Sequence, residues 1–346
     1  MRKEKEQEQS GNKIILAVLL LIIIVIVVIA FFVHGRRKEQ SSGISAEVTT
    51  ESDAESAVEK WQEGTIEYNG KKYVYNTSLD AYLYIGVDQE GPVEGSYDGI
   101  SGGQSDALFL LVMDKTNEKM SIFAINRNTM TNIDIYSESG EFLTTDKAQI
   151  CLQHGYGDGM KQSCQRTEDA VSKLFYNIPI KGYFSLNMGA IPTINDAVGG
   201  VPVEVMDDLS SIGEHQASLK KGQNVTLNGD EAYVYLRSRD CNEFDSASER
   251  LARQMQYMTS FFKQAKGNIK DINKIMSVYN SIEDYTVSNV DFEDLAGKLL
   301  KYSFDEADMY TIPGEERNGT DYEEYNVDDE SFYDLVIKVF YQPVEN

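Results

Sequence analysis

Four arginines lie close together in a chain that is otherwise rich in carboxylates. Arg237, Arg239, Arg250 and Arg253 are separated by short intervals, whereas the whole chain carries 56 Asp and Glu against 32 Lys and Arg, a net charge of −24. Planar guanidinium groups bind phosphate through paired hydrogen bonds, so the cluster predicts a site for phosphate or pyrophosphate. The alternative is that these arginines only pair with the protein's many carboxylates, and spacing alone leaves both readings open.

The first pair of arginines follows a short run of strand-forming residues. Ala232–Leu236 contains Tyr, Val and Tyr in succession, which favours a strand. Side chains two positions apart on a strand point to the same face. We therefore predict a strand here, with Arg237 and Arg239 on one face of it.

The second pair lies on a predicted helix with a defined start. Ser246 and Glu249 have the spacing of a capping box, and apolar residues follow at helical intervals: Leu251, Met255, Met258 and Phe262. Arg250 and Gln254 then share a face of this helix, and Asp245 comes just before its start. Because helix N-termini attract anions, this helix strengthens the prediction of an anion pocket.

Other chemistries have little support in the sequence. We find no Gly-rich loop ending in Lys-Ser or Lys-Thr for a nucleotide. The three histidines are scattered, no Cys and His have the spacing of metal ligands, and nothing marks a nucleophilic serine. Cys151 and Cys164 could form a disulfide or remain buried thiols, and the sequence does not decide.

The N-terminal region contains an uninterrupted apolar run, Ile14 to Val33. At helical rise it is long enough to cross the ~30 Å hydrocarbon core of a bilayer. A signal peptide would have a shorter run and a small-residue cleavage site, so we predict a retained transmembrane helix. Lys and Arg are nearly balanced around it, but residues 1–38 are net basic and the remainder is strongly acidic. Such a remainder fits the outer side of the membrane and disfavours nucleic acid as a partner.

The rest of the chain is predicted to follow a simple order. Residues 1–13 would be cytoplasmic, 14–33 the transmembrane helix, 34–60 a flexible linker, and 61–80 an accessory hairpin around Asn69-Gly70. Short apolar runs of strand length alternate with amphipathic helices from residue 81 onward, and the predicted strands include Ala81–Val87, Leu108–Met113, Met120–Ile125 and Tyr183–Leu186. We therefore predict an α/β fold with a central mixed sheet sandwiched between helices. The main domain would span 81–266, followed by a helix and strand extension with an acidic tail, 267–346.

Six short motifs, in the same order, resemble the LytR-CpsA-Psr family of bacterial cell-wall enzymes. The match runs from Leu83 to Phe262. The motifs are Leu83–Asp88, Ser105-Asp106-Ala107, Ile125–Thr129, Ile178-Pro179-Ile180, Asp196–Val201, and Leu227–Ala232 leading to Arg239; Lys147 with His154–Gly157, and Asp245 with Arg250, Arg253 and Gln254, are similar to further segments.

The resemblance implies a reaction and a set of roles. Members transfer a polyprenyl-pyrophosphate-linked glycopolymer, such as teichoic acid or capsular polysaccharide, to a peptidoglycan hydroxyl, and they release polyprenyl phosphate. It implies a protein of the bacterial plasma membrane with an extracellular catalytic domain, a long apolar slot for the lipid in the sheet–helix interior, and Mg²⁺ as cofactor. By motif match the catalytic residues would be Arg127, Arg237, Arg239, Arg250, Gln254 and Asp245 as base; Lys147 and Arg253 would bind substrate, and Asp106 and Asn128 would bind the metal.

Three residues depart from the family pattern, and one of them, Asn128, keeps an alternative function open. Asn128 stands where the family usually has Asp, Gln104 where many members have Arg, and Asp245 is five residues before Arg250 rather than three. The alternative is an extracellular protein that binds polyprenyl-linked wall intermediates or wall polymer without turnover. A transcriptional regulator fits poorly, because the acidic domain is expected outside the cell and contains no DNA-binding motif.

Overall fold

The computed structural model describes residues 65–95, 99–209, 219–268, 272–291, 298, 301–320 and 322–344. The predicted cytoplasmic segment, transmembrane helix and linker lie outside the described residues. Within the described ranges, no helix combines the length and apolar character needed to cross a membrane.

A six-stranded mixed sheet forms the centre of the fold. Its strands, in spatial order, are β11 (Thr286–Ser288), β8 (Gly182–Asn187), β3 (Leu79–Val87), β4 (Ser105–Asp114), β5 (Lys119–Ile125) and β12 (Ser303–Thr311). β3 runs parallel to β8 and β5 runs parallel to β12, whereas the other neighbours are antiparallel. The predicted mixed sheet is confirmed.

The central strand β4 shows why the sheet needs a layer of helices on each side. Alternate residues of a strand point to opposite faces. Phe109, Leu111 and Met113 belong to the hydrophobic core on one face, while Leu108 and Leu110 belong to the core on the other. Because both faces are apolar, both must be covered.

Helices supply these two covers. On the first face lie α3 (Ile191–Ala197), α4 (Gly229–Arg237), α5 (Ser246–Asn268) and α6 (Ile272–Ile282), through residues such as Ile194, Val234, Phe261 and Tyr279. On the second face lie α2 (Lys161–Leu174) and α7 (Asp329–Phe340), through Val171, Phe332 and Val336. A short helix, α1 (Leu152–Gly155), precedes α2.

Smaller antiparallel sheets surround this sandwich. They are β1 (Thr65–Tyr68) with β2 (Lys71–Tyr75) and β15 (Tyr341–Pro343), β6 (Met130–Tyr136) with β7 (Phe142–Gln149), β9 (Val201–Glu204) with β10 (Asn224–Leu227), and β13 (Gly314–Asn318) with β14 (Glu323–Val327). The predicted hairpin at Asn69-Gly70 is confirmed. Both turn residues have positive φ, 49° and 71°, as a two-residue hairpin turn requires.

One predicted element is wrong. Ala232–Leu236, predicted as a strand, belongs to helix α4. Asn228 and Glu231 form a capping box, in which the Asn228 side chain accepts from the backbone N–H of Glu231 and the Glu231 side chain accepts from that of Asn228, both at 3.0 Å. This start signal and burial of four consecutive residues, 232–235, outweigh the strand propensity of Tyr and Val.

A buried carboxylate on α2 leads to a prediction about pH and stability. Oε2 of Glu168 accepts no hydrogen bond from the described residues. Burial, with a smaller contribution from the neighbouring charge of Asp169, raises the pKa of Glu168 to about 8. Its stabilising contribution is therefore complete below the ordinary pKa near 4.5 and is lost as the pH rises through about 8.

We expect the Glu168→Gln variant to gain stability relative to the wild type as the pH rises. The difference in Tm should grow by several degrees between about pH 5 and about pH 8 and then level off. Thermal unfolding followed by circular dichroism across this range tests it. Glu141→Gln, a change at an exposed carboxylate, is the matched control and should give a constant difference; a constant difference for Glu168→Gln would refute the prediction.

Candidate functional site

A cavity of about 600 Å³ lies between the central sheet and the helices of its first face. Its inner wall is apolar and aromatic. The strands contribute Tyr84, Phe109, Leu111 and Phe184, and the helices contribute Ile194, Tyr257, Met258, Phe261 and Phe262. The family resemblance implies an apolar slot in the sheet–helix interior, and this cavity is one.

Polar and charged side chains line the same cavity. We call them the polar end: Asp88, Gln104, Asp106, Arg127, Arg237, Arg239, Arg250 and Gln254. The structure thus brings five of the six predicted catalytic residues, and Asp106, onto the wall of one cavity. An elongated ligand with an apolar tail and an anionic head matches this division of the wall.

Asp106 is the centre of the polar end, because two arginines bind its two oxygens. Nε of Arg127 lies 2.7 Å from Oδ1, and Nη1 of Arg250 lies 2.8 Å from Oδ2. Burial alone would raise the pKa of Asp106, but the charges of Arg250 and Arg127 hold it below its ordinary value. Arg250 is only 4% exposed, and burial lowers the pKa of its guanidinium. Asp106 therefore fixes two cations that face the cavity.

Arg127 is held at three points. Besides Asp106, it donates from Nη2 to Oε1 of Gln104 and from Nη1 to Oδ1 of Asn128 at 3.2 Å. The loop Asn126–Thr129 that carries it turns back on itself through the hydrogen bond from the Thr129 amide to the Asn126 carbonyl, 3.0 Å. Gln104, a departure from the family pattern, thus acts here as an acceptor for the site arginine.

Helix α5 positions Arg237 and Arg239 by capping the C-terminal end of α4. The last carbonyl groups of a helix lack partners within it. Gln254 donates to the carbonyl of Leu236 at 3.1 Å, and Arg250 to that of Arg237 at 3.5 Å. The arginines at this end also oppose the negative pole of the α4 dipole. Ser246 proves to be the first residue of α5, and its hydroxyl accepts from Nη1 of Arg239 at 3.3 Å.

Arg253 does not line the cavity. It is 2% exposed and donates to the carbonyls of Tyr235 (3.0 Å) and Ser238, and it forms a 2.6 Å ion pair with Asp207. Arg253 therefore stabilises the connection between α4 and α5. These contacts do not support the predicted role of Arg253 in binding substrate. Lys147 likewise lies exposed on β7, away from the cavity wall.

Asn128 and Asp245 do not line the cavity either. Asn128 is 2% exposed, and its Oδ1 accepts from Arg127 and from Nε2 of Gln149, 3.0 Å, so it faces other protein groups rather than the cavity. Asp245 lies outside the cavity wall and close enough to Glu316 to raise the pKa of that residue, after the larger effect of burial. Its backbone φ of 69° is the left-handed bend that starts α5.

Residues 41–336 match the model of the LytR_cpsA_psr family. The chain belongs to this family. TagU of Bacillus cereus, a polyisoprenyl-teichoic acid–peptidoglycan teichoic acid transferase, is 27% identical over 241 residues, 69% of this chain and 70% of that protein. Among solved structures, protein gbs0355 of Streptococcus agalactiae has a TM-score of 0.60 at 18% identity and covers 76% of this chain and 86% of its own. B. subtilis TagV has a TM-score of 0.57 at 20% identity, covering 76% and 97%. These two structures show that the fold is shared.

The sequence missed two acidic residues of this LytR_cpsA_psr protein: Asp88 at the polar end, and Glu90, which is not on the cavity wall but pairs with Arg237. Asp88 lines the cavity and accepts from the backbone amide of Gln104 at 2.7 Å. Glu90 accepts from the Tyr233 hydroxyl at 2.6 Å and lies 3.7 Å from Nη1 of Arg237. Asp88 is the last residue of the first motif, Leu83–Asp88, and that position was the signal that could have identified it.

A Mg²⁺ ion fits the polar end only in a limited way. No group of three or more His, Cys, Asp or Glu within the described part of the chain could form a metal site by itself. Mg²⁺ is commonly bound by one or two carboxylates together with substrate phosphates. Asp106 meets this requirement, since each of its oxygens retains a lone pair beside its arginine. Asn128 does not.

The C-terminal extension braces the loop that carries Arg127. The backbone amide of Tyr325 on β14 donates to the carbonyl of Asn128 at 2.9 Å. Gln149 donates to the Glu323 carbonyl at 2.7 Å, and Nδ2 of Asn126 donates to Oε1 of Glu316 on β13 at 2.9 Å. The extension is thus part of the support of the site in this family member.

The cysteines are free. Cys151 and Cys164 are buried thiols, and Cys241 is exposed, so the structure favours reduced thiols over a disulfide. Cys164 packs against His154, with Sγ 3.8 Å from Nε2. Burial raises the pKa of the Cys151 thiol to about 12, which makes it a poor nucleophile.

Proposed function

We propose that this protein transfers a glycopolymer from a polyprenyl pyrophosphate carrier to a hydroxyl group of peptidoglycan, with release of polyprenyl phosphate. The single observation that carries the proposal is an apolar cavity that ends on four arginines, Arg127, Arg237, Arg239 and Arg250. A polyprenyl pyrophosphate has the same division into a long apolar tail and a doubly charged head. The TagU relatives are named as transferases of this class.

The tail would occupy the apolar wall between sheet and helices. There it would be removed from water, which is worth ~0.8 kcal/mol for each buried methylene group. The pyrophosphate would lie against Arg127, Arg250, Arg237 and Arg239. The first two are pre-positioned by Asp106, whereas Arg237, whose side chain is 41% exposed, can adjust to the incoming head group.

The chemical step exchanges one phosphorus–oxygen bond for another. The acceptor oxygen forms a bond to the phosphorus that carries the glycopolymer, and the bond from that phosphorus to the bridging oxygen breaks. The bridging oxygen leaves with polyprenyl phosphate. The four arginines stabilise the charge that develops on it, which is the main contribution a protein makes to phosphoryl transfer. Mg²⁺, held by Asp106 and substrate oxygens, would add further positive charge there.

The proton of the acceptor hydroxyl needs a base. We assign this role to Asp88 in place of Asp245, because Asp88 is an exposed carboxylate on the cavity wall and Asp245 is not on that wall. We further propose that Ile14–Val33 anchors the chain in the plasma membrane, with the catalytic domain outside. The lipid carrier would then reach the cavity from the same membrane.

A reconstituted transfer reaction tests the proposal. The full chain in detergent is mixed with a polyprenyl-pyrophosphate-linked saccharide, a peptidoglycan oligosaccharide and Mg²⁺, and the products are followed by mass spectrometry. We expect equal amounts of polyprenyl phosphate and of joined product. Tight binding of the lipid without product, across several donors and acceptors, would instead support a non-catalytic binding protein and overturn the proposal.

A further inference from the structure

A second depression, of about 690 Å³, opens onto the polar end of the cavity. We call it the side groove. Asp88 and Gln104 line both spaces, and the groove continues past Ile100 to Tyr136 and Tyr156. A ligand in the side groove therefore reaches the two polar side chains that border the pyrophosphate position.

The groove presents aromatic groups held in fixed positions. The guanidinium carbon of Arg166 lies 3.3 Å from the centre of the Tyr136 ring. Nη1 of the same arginine donates to the Tyr156 carbonyl at 2.6 Å, so Arg166 contacts the ring of Tyr136 and the backbone at Tyr156. Phe142, 57% exposed, contacts the Tyr136 ring edge-on at 5.8 Å and extends the apolar surface to the tip of the β6–β7 hairpin. Rigid aromatic groups of this kind provide contact area at little cost in conformational entropy.

The charge of the groove differs from that of the cavity. Its charged lining groups are the carboxylates of Asp88 and Glu138, whereas Arg166, which does not line the groove, is held against the Tyr136 ring and the Tyr156 carbonyl. A chain of phosphodiesters would be repelled by these carboxylates. An uncharged glycan would not, and its sugar rings have apolar faces for the aromatic groups and hydroxyls for Ser101, Ser137 and Glu138.

We propose that the side groove binds the glycan strand of the peptidoglycan acceptor and directs one of its hydroxyl groups to Asp88 and Gln104. This inference rests on the proposed transfer function and adds the acceptor site to it. Donor and acceptor then enter from separate sides: the lipid from the sheet–helix interior, and the glycan along Phe142, Tyr136 and Tyr156. The acceptor oxygen arrives beside the arginine-bound phosphorus, and its proton passes to Asp88.

Separate measurements of donor and acceptor test the groove. In the full chain, Tyr156→Ser keeps the backbone carbonyl that Arg166 binds and removes the ring. We expect it to raise the KM for peptidoglycan oligosaccharides at least tenfold and to leave the KM for the lipid donor unchanged. Phe142→Ser, at an exposed position, should raise the KM only for long oligosaccharides that reach the hairpin tip. Tyr322→Ser, 46% exposed on another hairpin, is the control and should change neither constant.

Direct binding keeps the test independent of turnover. Calorimetric titration of the full chain with the same oligosaccharides should show binding that Tyr156→Ser weakens at least tenfold. Equal affinities in wild type and Tyr156→Ser would overturn the assignment of the side groove as the glycan site, whether or not transfer occurs. A raised KM for the donor with an unchanged KM for the acceptor would also overturn it, because the groove would then hold the donor's own polymer. Glycan binding without any transfer would leave the groove standing and count against the proposed function alone.

Discussion

Replacing Arg250 with alanine should lower the rate constant of glycopolymer transfer by about a thousandfold, the upper range for removal of one pre-positioned charge from a site. Arg250 is almost completely buried, and both of its terminal nitrogens face Asp106, 2.8 Å from Oδ2 and 3.4 Å from the carbonyl oxygen. In so dry a position its charge acts on the leaving phosphate with little screening by water. Loss of the guanidinium also leaves Asp106 bound by Arg127 alone.

The loss of rate in Arg250→Ala is measured from initial rates of polyprenyl phosphate release at saturating donor and acceptor. Arg250→Lys should fall between wild type and Arg250→Ala, since lysine keeps the charge but not the two-pronged contact with Asp106. Arg317→Ala removes an arginine that is 65% exposed and pairs only locally with Glu315, and it should leave the rate unchanged. Thermal unfolding shows that each variant is folded at the assay temperature. A folded Arg250→Ala protein with a rate within tenfold of wild type would remove Arg250 from the catalytic group.

Filling the apolar part of the cavity should weaken binding of the lipid donor while leaving the arginines unchanged. Leu111 lies on β4 with its side chain on the cavity wall. Tryptophan at this position is larger by about two to three methylene groups, which at ~0.8 kcal/mol each corresponds to a loss of affinity of about 30-fold. The Leu111→Trp variant should therefore require a much higher concentration of a long-chain donor to reach half-maximal rate.

The length of the lipid supplies the internal control. A donor with one or two isoprene units does not reach the filled part of the cavity, so its KM should be the same in wild type and Leu111→Trp. Val344→Trp adds the same side chain at a position near the C-terminus that is 40% exposed. It should leave the KM for both donors unchanged. If long and short donors lost affinity equally, the apolar cavity would not be the lipid site.

The departure at Asn128 has a structural explanation that the sequence could not provide. The family's usual Asp at this position suggested a weakened metal site. In the structure the Asn128 oxygen accepts from Arg127 and from Gln149, and Gln149 is fixed in turn by the Glu323 carbonyl of the C-terminal extension. A neutral acceptor is sufficient for these two donors. The feature that kept a non-catalytic protein under consideration therefore does not disturb the residues that line the cavity.

Local patterns in the sequence determined much of this protein. Short apolar runs predicted β3, β4, β5 and β8 close to their observed bounds, because an apolar run of strand length is a property of neighbouring residues. Successive side chains of a strand point to opposite faces, so the continuous apolar run of β4 already implies a covering layer on each face of the sheet. The helix at Ser246 followed from its start signal and its apolar spacing. The order of the six motifs led to the family that the comparison shows.

Only the tertiary structure decided which side chains meet. Arg250 and Arg253 are three residues apart on one helix, yet only Arg250 of the two lines the cavity. Arg253 instead pairs with Asp207 and donates to carbonyl groups at the C-terminal end of α4. Asp88 directly follows β3 and Asp106 is the second residue of β4, and both lie at the polar end. Such differences depend on the rotation of a helix against its neighbours and on contacts between residues far apart in the chain. Motif order and spacing along one chain carry no such information, so the sequence identified the arginines and Asp106 but not Asp88, which lines the same cavity.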